Sequence, residues 1–370
     1  MAYGLINSDT MADSSGGVMS PISSVMRNRI INGAMVIDQR NNGSQVTTAS
    51  GGSVYTLDRW YAQWSVVSKY TIQQNAGSVT PPVGFTNYLG VVSTSAYSVT
   101  TNDYFVIQQI IEGYNVADLA WGTANAKTVT VSFWAYSSLT GTFGGSLYNG
   151  AGTYSYPFSY SIPVANTWTQ ISVTIPGPAV GVWITNNSRG LYVGFNLGSG
   201  SAFSGTAGSW QSGVLTASTG AVSVVGTNGA TFYITGVQLE KGSSATGYEY
   251  RQYGQELALC QRYAQVFTNP NTQNVRFAVA GNYSSGSNLG YPARFLSTTM
   301  RTSPSLTISA VGDFKTQQFD SPTQTVTALN VDNASTDEIG FSVTVGSNFS
   351  NGMNLLANNG NAKMILSAEL

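Results

Sequence analysis

Val129-Thr130-Val131-Ser132-Phe133-Trp134-Ala135-Tyr136 alternates β-branched, aromatic and hydroxyl side chains at period two. That is the grammar of a β-strand, in which successive side chains point to opposite faces. Both faces of this strand carry bulky rings. One set must therefore lie outside the core or beneath a neighbouring subunit.

The same pattern recurs in Trp168-Thr169-Gln170-Ile171-Ser172-Val173-Thr174-Ile175, in Leu191–Leu197 and in Thr231–Leu239. Pro176-Gly177-Pro178, Asn186-Asn187-Ser188, Gly198-Ser199-Gly200 and Asn228-Gly229 supply turns between the runs. Many short strands with such punctuation predict a mainly β chain built on an antiparallel β-sandwich, the jelly roll. Residues 1–28 lack any period and read as an extended N-terminal arm or anchor, and the sandwich is expected over 29–247. A linking helix follows over 248–268. Its residues Tyr253, Leu257, Cys260, Ala264 and Phe267 form an a/d stripe, and Asn269-Pro270 ends it. The stripe serves either packing against the chain's own sandwich or a seam between subunits. Residues 269–370 predict a smaller, separate C-terminal β-sandwich.

Composition narrows the chemistry. The chain has 370 residues, with no His, one Cys and 41 Gly, and only 8% of its residues are charged; an ordinary domain has about 25%. Without His there is no Ser-His-Asp or Cys-His nucleophile system and no His metal ligand. A lone Cys260 excludes an intrachain disulfide framework and thiolate metal sites. A net charge of −1 provides no field for nucleic acid or an anionic membrane. Disorder is not implied, since 12% of the residues are aromatic. No run reaches the ~18 apolar residues of a membrane span, and residues 1–15 show no secretory signal pattern.

Glycan cleavage needs two carboxyls facing one another. Between Arg29 and Gly247 the acids are Asp38, Asp58, Asp103, Glu112, Asp118 and Glu240, and no two have an informative spacing. The Gly clusters precede neither a helix nor a Lys, so they are not phosphate loops. No catalytic residue, metal or cofactor is expected. Aromatic rings remain: sugar C–H faces stack on Trp and Tyr, while amides and hydroxyls satisfy sugar hydroxyls. The candidate carbohydrate-binding residues are Trp121, Trp134, Tyr136, Tyr154, Tyr156, Tyr160 and Trp210. In Tyr154-Ser155-Tyr156-Pro157-Phe158-Ser159-Tyr160 four aromatics share one face, which lines either a core or a ligand groove.

Asn28–Met35 continuing to Asp58-Arg59-Trp60, and the closing run Phe232–Glu240, resemble the first and last strands of carbohydrate-binding-module-like jelly rolls. Ser132-Phe133-Trp134, Asn166–Gly177 and Gly190–Gly198 resemble versions found in bacteriophage tail-fibre and other virion appendage proteins. Tyr250–Tyr263 is similar to the helix that follows the jelly roll in such proteins. Calcium-binding modules present an acidic residue in the closing strand, where this chain has Thr235-Gly236, so structural calcium is not expected. The resemblance implies a virion location after assembly in the host cytoplasm, with host cell-surface polysaccharide as ligand. A non-catalytic homo-oligomer, a trimer, would use the stripe Tyr253, Leu257, Cys260, Ala264 and Phe267 as its interface. The arm would dock on other virion proteins. Neither nucleic acid nor membrane insertion is implied. The alternatives are a structural virion protein without a ligand, such as a capsid decoration or adaptor, and a polysaccharide depolymerase.

Overall fold

The computed structural model describes residues 26–269, 276–285, 288–317, 323–346 and 353–370. The expected arm falls, up to residue 25, outside the described residues. By packing, the chain divides into two compact units, one running to Tyr253 together with Leu370 and the other covering Gly254–Glu369.

In the first unit, β1 (Val46–Thr47), β2 (Ser53–Tyr55), β3 (Trp60–Trp64), β4 (Tyr70–Gln74) and β5 (Leu89–Ser93) lead to β6 (Tyr104–Glu112). Next come β7 (Val129–Ser137), β8 (Gly141–Asn149), β9 (Tyr154–Ile162), β10 (Thr169–Ile175) and β11 (Arg189–Ser199). The short β12 (Ser204–Gly205), β13 (Gln211–Ser212) and β14 (Ala217–Ser218) precede the closing β15 (Thr231–Lys241). Thirteen of these strands form two antiparallel sheets, ordered β1-β4-β5-β15-β7-β10 and β13-β9-β8-β11-β6-β3-β2, while β12 and β14 pair in parallel with each other. This is the expected jelly-roll sandwich.

Strand β7 shows how the sequence sets the layers. It pairs with β10 from Val129↔Ile175 to Ala135↔Thr169 and with β15 on its other side. Val129, Val131, Phe133 and Ala135 point into the core. There the Phe133 ring meets Tyr160 and Phe195 edge-on, at centroid distances of 5.0 and 4.9 Å. Each such buried ring contributes roughly 1.5–3 kcal/mol of burial. Ser132, Trp134 and Tyr136 then fall on the outer face, because a strand alternates strictly. A one-residue slip would exchange the two sets, which fixes the register.

All of α1 (Tyr253–Gln261) but its first residue belongs to the second unit, and here the expected helix is corrected. It does not continue to Phe267. Ala264 and Phe267 lie on β16 (Ala264–Thr268). Strand pairing takes over: β16 binds a C-terminal strand in register, with Ala264 opposite Ser367 and Phe267 opposite Met364. Five cross-strand pairs and the burial of Ala264 outweigh one more helical turn.

The remaining strands are β17 (Arg276–Ser285), β18 (Asn288–Phe295), β19 (Ser305–Ile308), β20 (Phe314–Gln317), β21 (Gln324–Ala334), β22 (Glu338–Val345), β23 (Met353–Ala357) and β24 (Lys363–Ser367). The C-terminal region is β structure as expected, but the expected sandwich is corrected: its strands form a closed barrel, β17-β18-β22-β21-β20-β23, beside a three-stranded sheet, β16-β24-β19. Closure abolishes the barrel's sheet edges. It packs its own core of Phe277, Leu289, Phe314, Phe341, Leu355 and Leu366 among others.

Candidate functional site

Outward alternation on β7 places the half-buried Trp134 on the outer face of the six-stranded sheet. Its register partners are Gln170 on the edge strand β10 and Thr235 on β15. Gln170 is exposed. Trp134, Gln170 and Ser132 floor a pocket of about 170 Å³ walled by Val83, Phe85, Thr246, Tyr248 and Tyr250.

Two irregular segments build those walls. The loop 79–87 follows β4 and carries Pro81-Pro82-Val83-Gly84-Phe85. It is tied down at Trp168, whose indole N–H donates to the Thr80 carbonyl at 2.8 Å, and at Tyr88, whose hydroxyl accepts from Val79 N–H. The strap 242–250 follows β15 and is tied across the ends of β7 and β10. The Thr130 and Thr174 hydroxyls donate to the Gly242 and Ser243 carbonyls, each at 3.0 Å. The Glu240 carboxylate accepts from the Thr246 N–H and hydroxyl at 2.8 and 2.7 Å, which anchors the strap's middle.

Loop and strap meet over β15. Phe85 lies 5.1 Å from Tyr248 and 5.7 Å from Tyr250, centroid to centroid. Beneath Phe85 the strand carries a bulge between Thr235 and Gln238, where Gly236 adopts φ +61°. A Cβ at Gly236 would stand 2.6 Å from Phe85 Cζ, so the ring occupies the space that glycine leaves. The lining holds no Asp, Glu, Lys or Arg. Rings, one amide and hydroxyls are what it offers.

The other candidates go to three places. Tyr136 stands beyond the pocket in an aromatic tier, stacked on Tyr233 at 5.2 Å and 5.4 Å from Trp168. Trp121, Tyr154, Tyr156 and Trp210 come together with Trp183, which the sequence reading missed. Tyr154 stacks on Trp210 at 5.5 Å, and Trp121 meets Trp183 edge-on at 4.7 Å. The three indole N–H groups donate to the backbone carbonyls of Lys127, Val180 and Pro176, which fixes the rings and leaves those donors occupied. Tyr160 is corrected: its ring is buried in the core against Phe133 and Phe143, out of reach of any ligand. The shared face of Tyr154, Tyr156, Phe158 and Tyr160 is the core face, with Tyr154 and Tyr156 at its rim. Of the stripe residues, Tyr253 is 64% exposed and Cys260 fully buried. Phe267 packs on the second core beneath the Arg294 guanidinium, 4.2 Å from its ring centroid.

The sequence reading also missed Phe85, Gln170, Tyr248 and Tyr250. Three of these sit on irregular segments without a period. Their signal is an isolated ring beside glycine or an acid, in Gly84-Phe85 and Tyr248-Glu249-Tyr250. A second polar aromatic group, Tyr61, Gln63, Gln108, Tyr148 and Tyr192, lies on the outer face of the seven-stranded sheet. Tyr148 and Tyr192 stack at 4.3 Å, and the Tyr148 hydroxyl donates to Gln108 Oε1 at 2.6 Å. Gln108, Tyr148 and Tyr192 are all buried there, and their polar groups are engaged within the protein: the Gln108 amide donates to Gln63 Oε1 and the Tyr192 hydroxyl accepts from the Arg189 guanidinium.

The first unit's carboxylates have local partners. Asp38 accepts the N–H groups of Asn41 and Gly43, and Asp58 those of Gln39. Burial pushes the Asp103 carboxyl up, but bonds from Thr100, Ser65 and Tyr97 outweigh it and hold the group below its usual range. Asp118 behaves alike, with Arg29 at 2.7 Å and Lys241 at 3.2 Å outweighing its burial. Glu112 is buried on β6, and Glu240 holds the strap. Among the described residues, no group of three or more acids and cysteines is placed to hold a metal ion.

Fold and pocket together define a jelly-roll protein with an uncharged aromatic cleft on its six-stranded sheet. No protein-family model matches the chain, and no curated protein sequence does. Among solved structures it is similar to the enzymatically active domain of bacteriophage CBA120 tailspike protein 4, at 14% identity and TM-score 0.31. That match covers 58% of this chain and 21% of the tailspike domain, so the chain spans about a fifth of its length. It is also similar to the family 11 carbohydrate-binding module of Clostridium thermocellum in complex with a β-1,3-1,4-mixed-linked tetrasaccharide. There the identity is 12% and the TM-score 0.28, over 54% of this chain and all of the module (100%). A family 61 module bound to β-1,4-galactotriose matches at 9% identity and TM-score 0.30, over 58% of this chain and 99% of the module.

Proposed function

We propose that the chain is a non-catalytic carbohydrate-binding protein whose pocket holds a neutral sugar ring against Trp134. The observation that carries this is an aromatic pocket with no charged side chain in its lining. Trp134 offers a ring face to sugar C–H groups, and burying such apolar contact is favourable without any charge. The Gln170 amide and the Ser132 hydroxyl can exchange hydrogen bonds with sugar hydroxyls, which are both donors and acceptors, whereas the Thr246 hydroxyl already donates to Glu240 and can only accept. No acid faces another across the pocket, which fits holding a glycan better than cleaving one.

We further propose that the protein serves in a bacteriophage virion appendage, as a homotrimer contributing to adsorption on host-surface polysaccharide. One small pocket binds weakly, and copies held by symmetry raise the apparent affinity by ~10² or more when geometry permits. The resemblance of Gly190–Gly198 and Tyr250–Tyr263 to appendage proteins supports this setting.

The decisive experiment is titration calorimetry on purified host polysaccharide with the whole protein and Trp134→Ala. Affinity should fall tenfold or more, about 1.4 kcal/mol, in the variant. Equal binding by both proteins would remove the pocket from the function, and no binding by either would favour a scaffold. New reducing ends during the incubation would mark the chain as a depolymerase. Sedimentation equilibrium giving a monomer at micromolar concentration would overturn the trimer.

A further inference from the structure

The pocket's walls have a direction, and it bears on which part of a glycan can enter. On the β15 side the way is shut: Phe85, Tyr248 and Tyr250 touch one another above the Gly236 bulge. Gly84 closes this wall further, since a Cβ there would stand 2.5 Å from the Tyr250 hydroxyl. Along β7 in one direction, the loop 79–87 crosses towards the edge strand, fixed by the Trp168–Thr80 hydrogen bond. Its Val79 packs against the buried cluster of Ala76, Tyr88 and Tyr233, on which Tyr136 and Trp168 also pack, so the aromatic tier is a footing for the loop. In the other direction, the strap reaches both β7 and β10 through Thr130 and Thr174. The remaining side is that of Gln170, on β10, the last strand of its sheet.

We propose that this blind slot takes the terminal sugar of a glycan chain end-on, and that the terminal sugar is neutral. The inference rests on the pocket being a sugar site. A polymer lying across the sheet needs a groove open at both ends, and here one end is blocked by Phe85. The volume of about 170 Å³ lies below the ~300–1,000 Å³ of sites that engulf drug-sized ligands, and it suits one ring. A sialic or uronic acid would bring a carboxylate into a lining that offers it no cation to pair with, whereas a neutral ring loses nothing there. The chain's next sugar would leave past Gln170, whose amide stands at the mouth.

The test is a printed array of neutral and acidic glycans, probed with the whole protein, Trp134→Ala, Gln170→Ala and Phe85→Ala. Thermal melts would establish that each variant is folded. End-on recognition predicts hits that share a neutral terminal sugar over different interiors. Exoglycosidase removal of that sugar should then abolish the signal. Trp134→Ala and Gln170→Ala should lower binding at least tenfold and about threefold, respectively. Phe85→Ala opens the closed end and should admit glycans carrying the same sugar internally. Hits defined by an interior motif whatever the terminus, or by acidic termini, would overturn the inference while leaving a Trp134-dependent sugar site in place. Hits indifferent to Trp134→Ala, or no hits at all, would overturn the sugar site itself.

Discussion

Two residues show how this chain handles polar groups in a nearly uncharged fold. Tyr160 is fully enclosed in the core, burial pushes its phenol far above the usual range, and its hydroxyl has no partner among the described residues. A buried, unpaired hydroxyl costs about 1–3 kcal/mol. Tyr160→Phe should therefore leave stability unchanged or raise it by about 1 kcal/mol; a clear fall in urea unfolding would mean that the hydroxyl is satisfied. Asp103 is the opposite case, with four hydrogen bonds on its carboxylate from the Thr100 N–H and hydroxyl, Ser65 and Tyr97. Its folded carboxyl titrates below the ordinary value near 3.9. On acidification the unfolded chain therefore takes up the proton first. The stabilisation is complete above about pH 4 and is lost as pH falls through the lower, folded value. Asp103→Asn should flatten that part of the acid-unfolding curve; an unchanged curve would assign the acid sensitivity to other groups, such as Asp118.

Among the elements, the β15 bulge couples backbone geometry to the pocket wall. Alanine at Gly236 costs about 1–2 kcal/mol for its left-handed conformation and sets a methyl group 2.6 Å from Phe85 Cζ. Gly236→Ala should lower the melting temperature by several degrees and, by displacing the Phe85 ring, admit internal sugars as Phe85→Ala does. Unchanged selectivity would show that the ring keeps its place. The strands themselves were legible because alternation is a local signal: Val129–Tyr136 carries its own assignment of faces. The helix end was not legible, since Ala264 and Phe267 satisfy a heptad spacing and a strand equally well. A partner strand about a hundred residues further on decides between them. The pocket was legible only in Trp134, because Phe85, Tyr248 and Tyr250 converge from segments whose shape depends on tertiary ties.

At the scale of the whole molecule, two cores without shared members predict two unfolding steps in calorimetry, one for each compact unit. A single sharp transition would show that the units unfold together. With a net charge of −1 and no charged residue lining the pocket, sugar affinity should hold within twofold between about 50 and 500 mM salt. A steep salt dependence would point to a charged ligand. The group of Trp121, Trp183 and Trp210 has a spectroscopic consequence. Indoles 4.7–5.5 Å apart and nearly perpendicular couple their electronic transitions. The native protein should therefore show a paired positive and negative signal in ultraviolet circular dichroism, an intrinsic optical gauge of that corner of the sandwich that needs no attached dye.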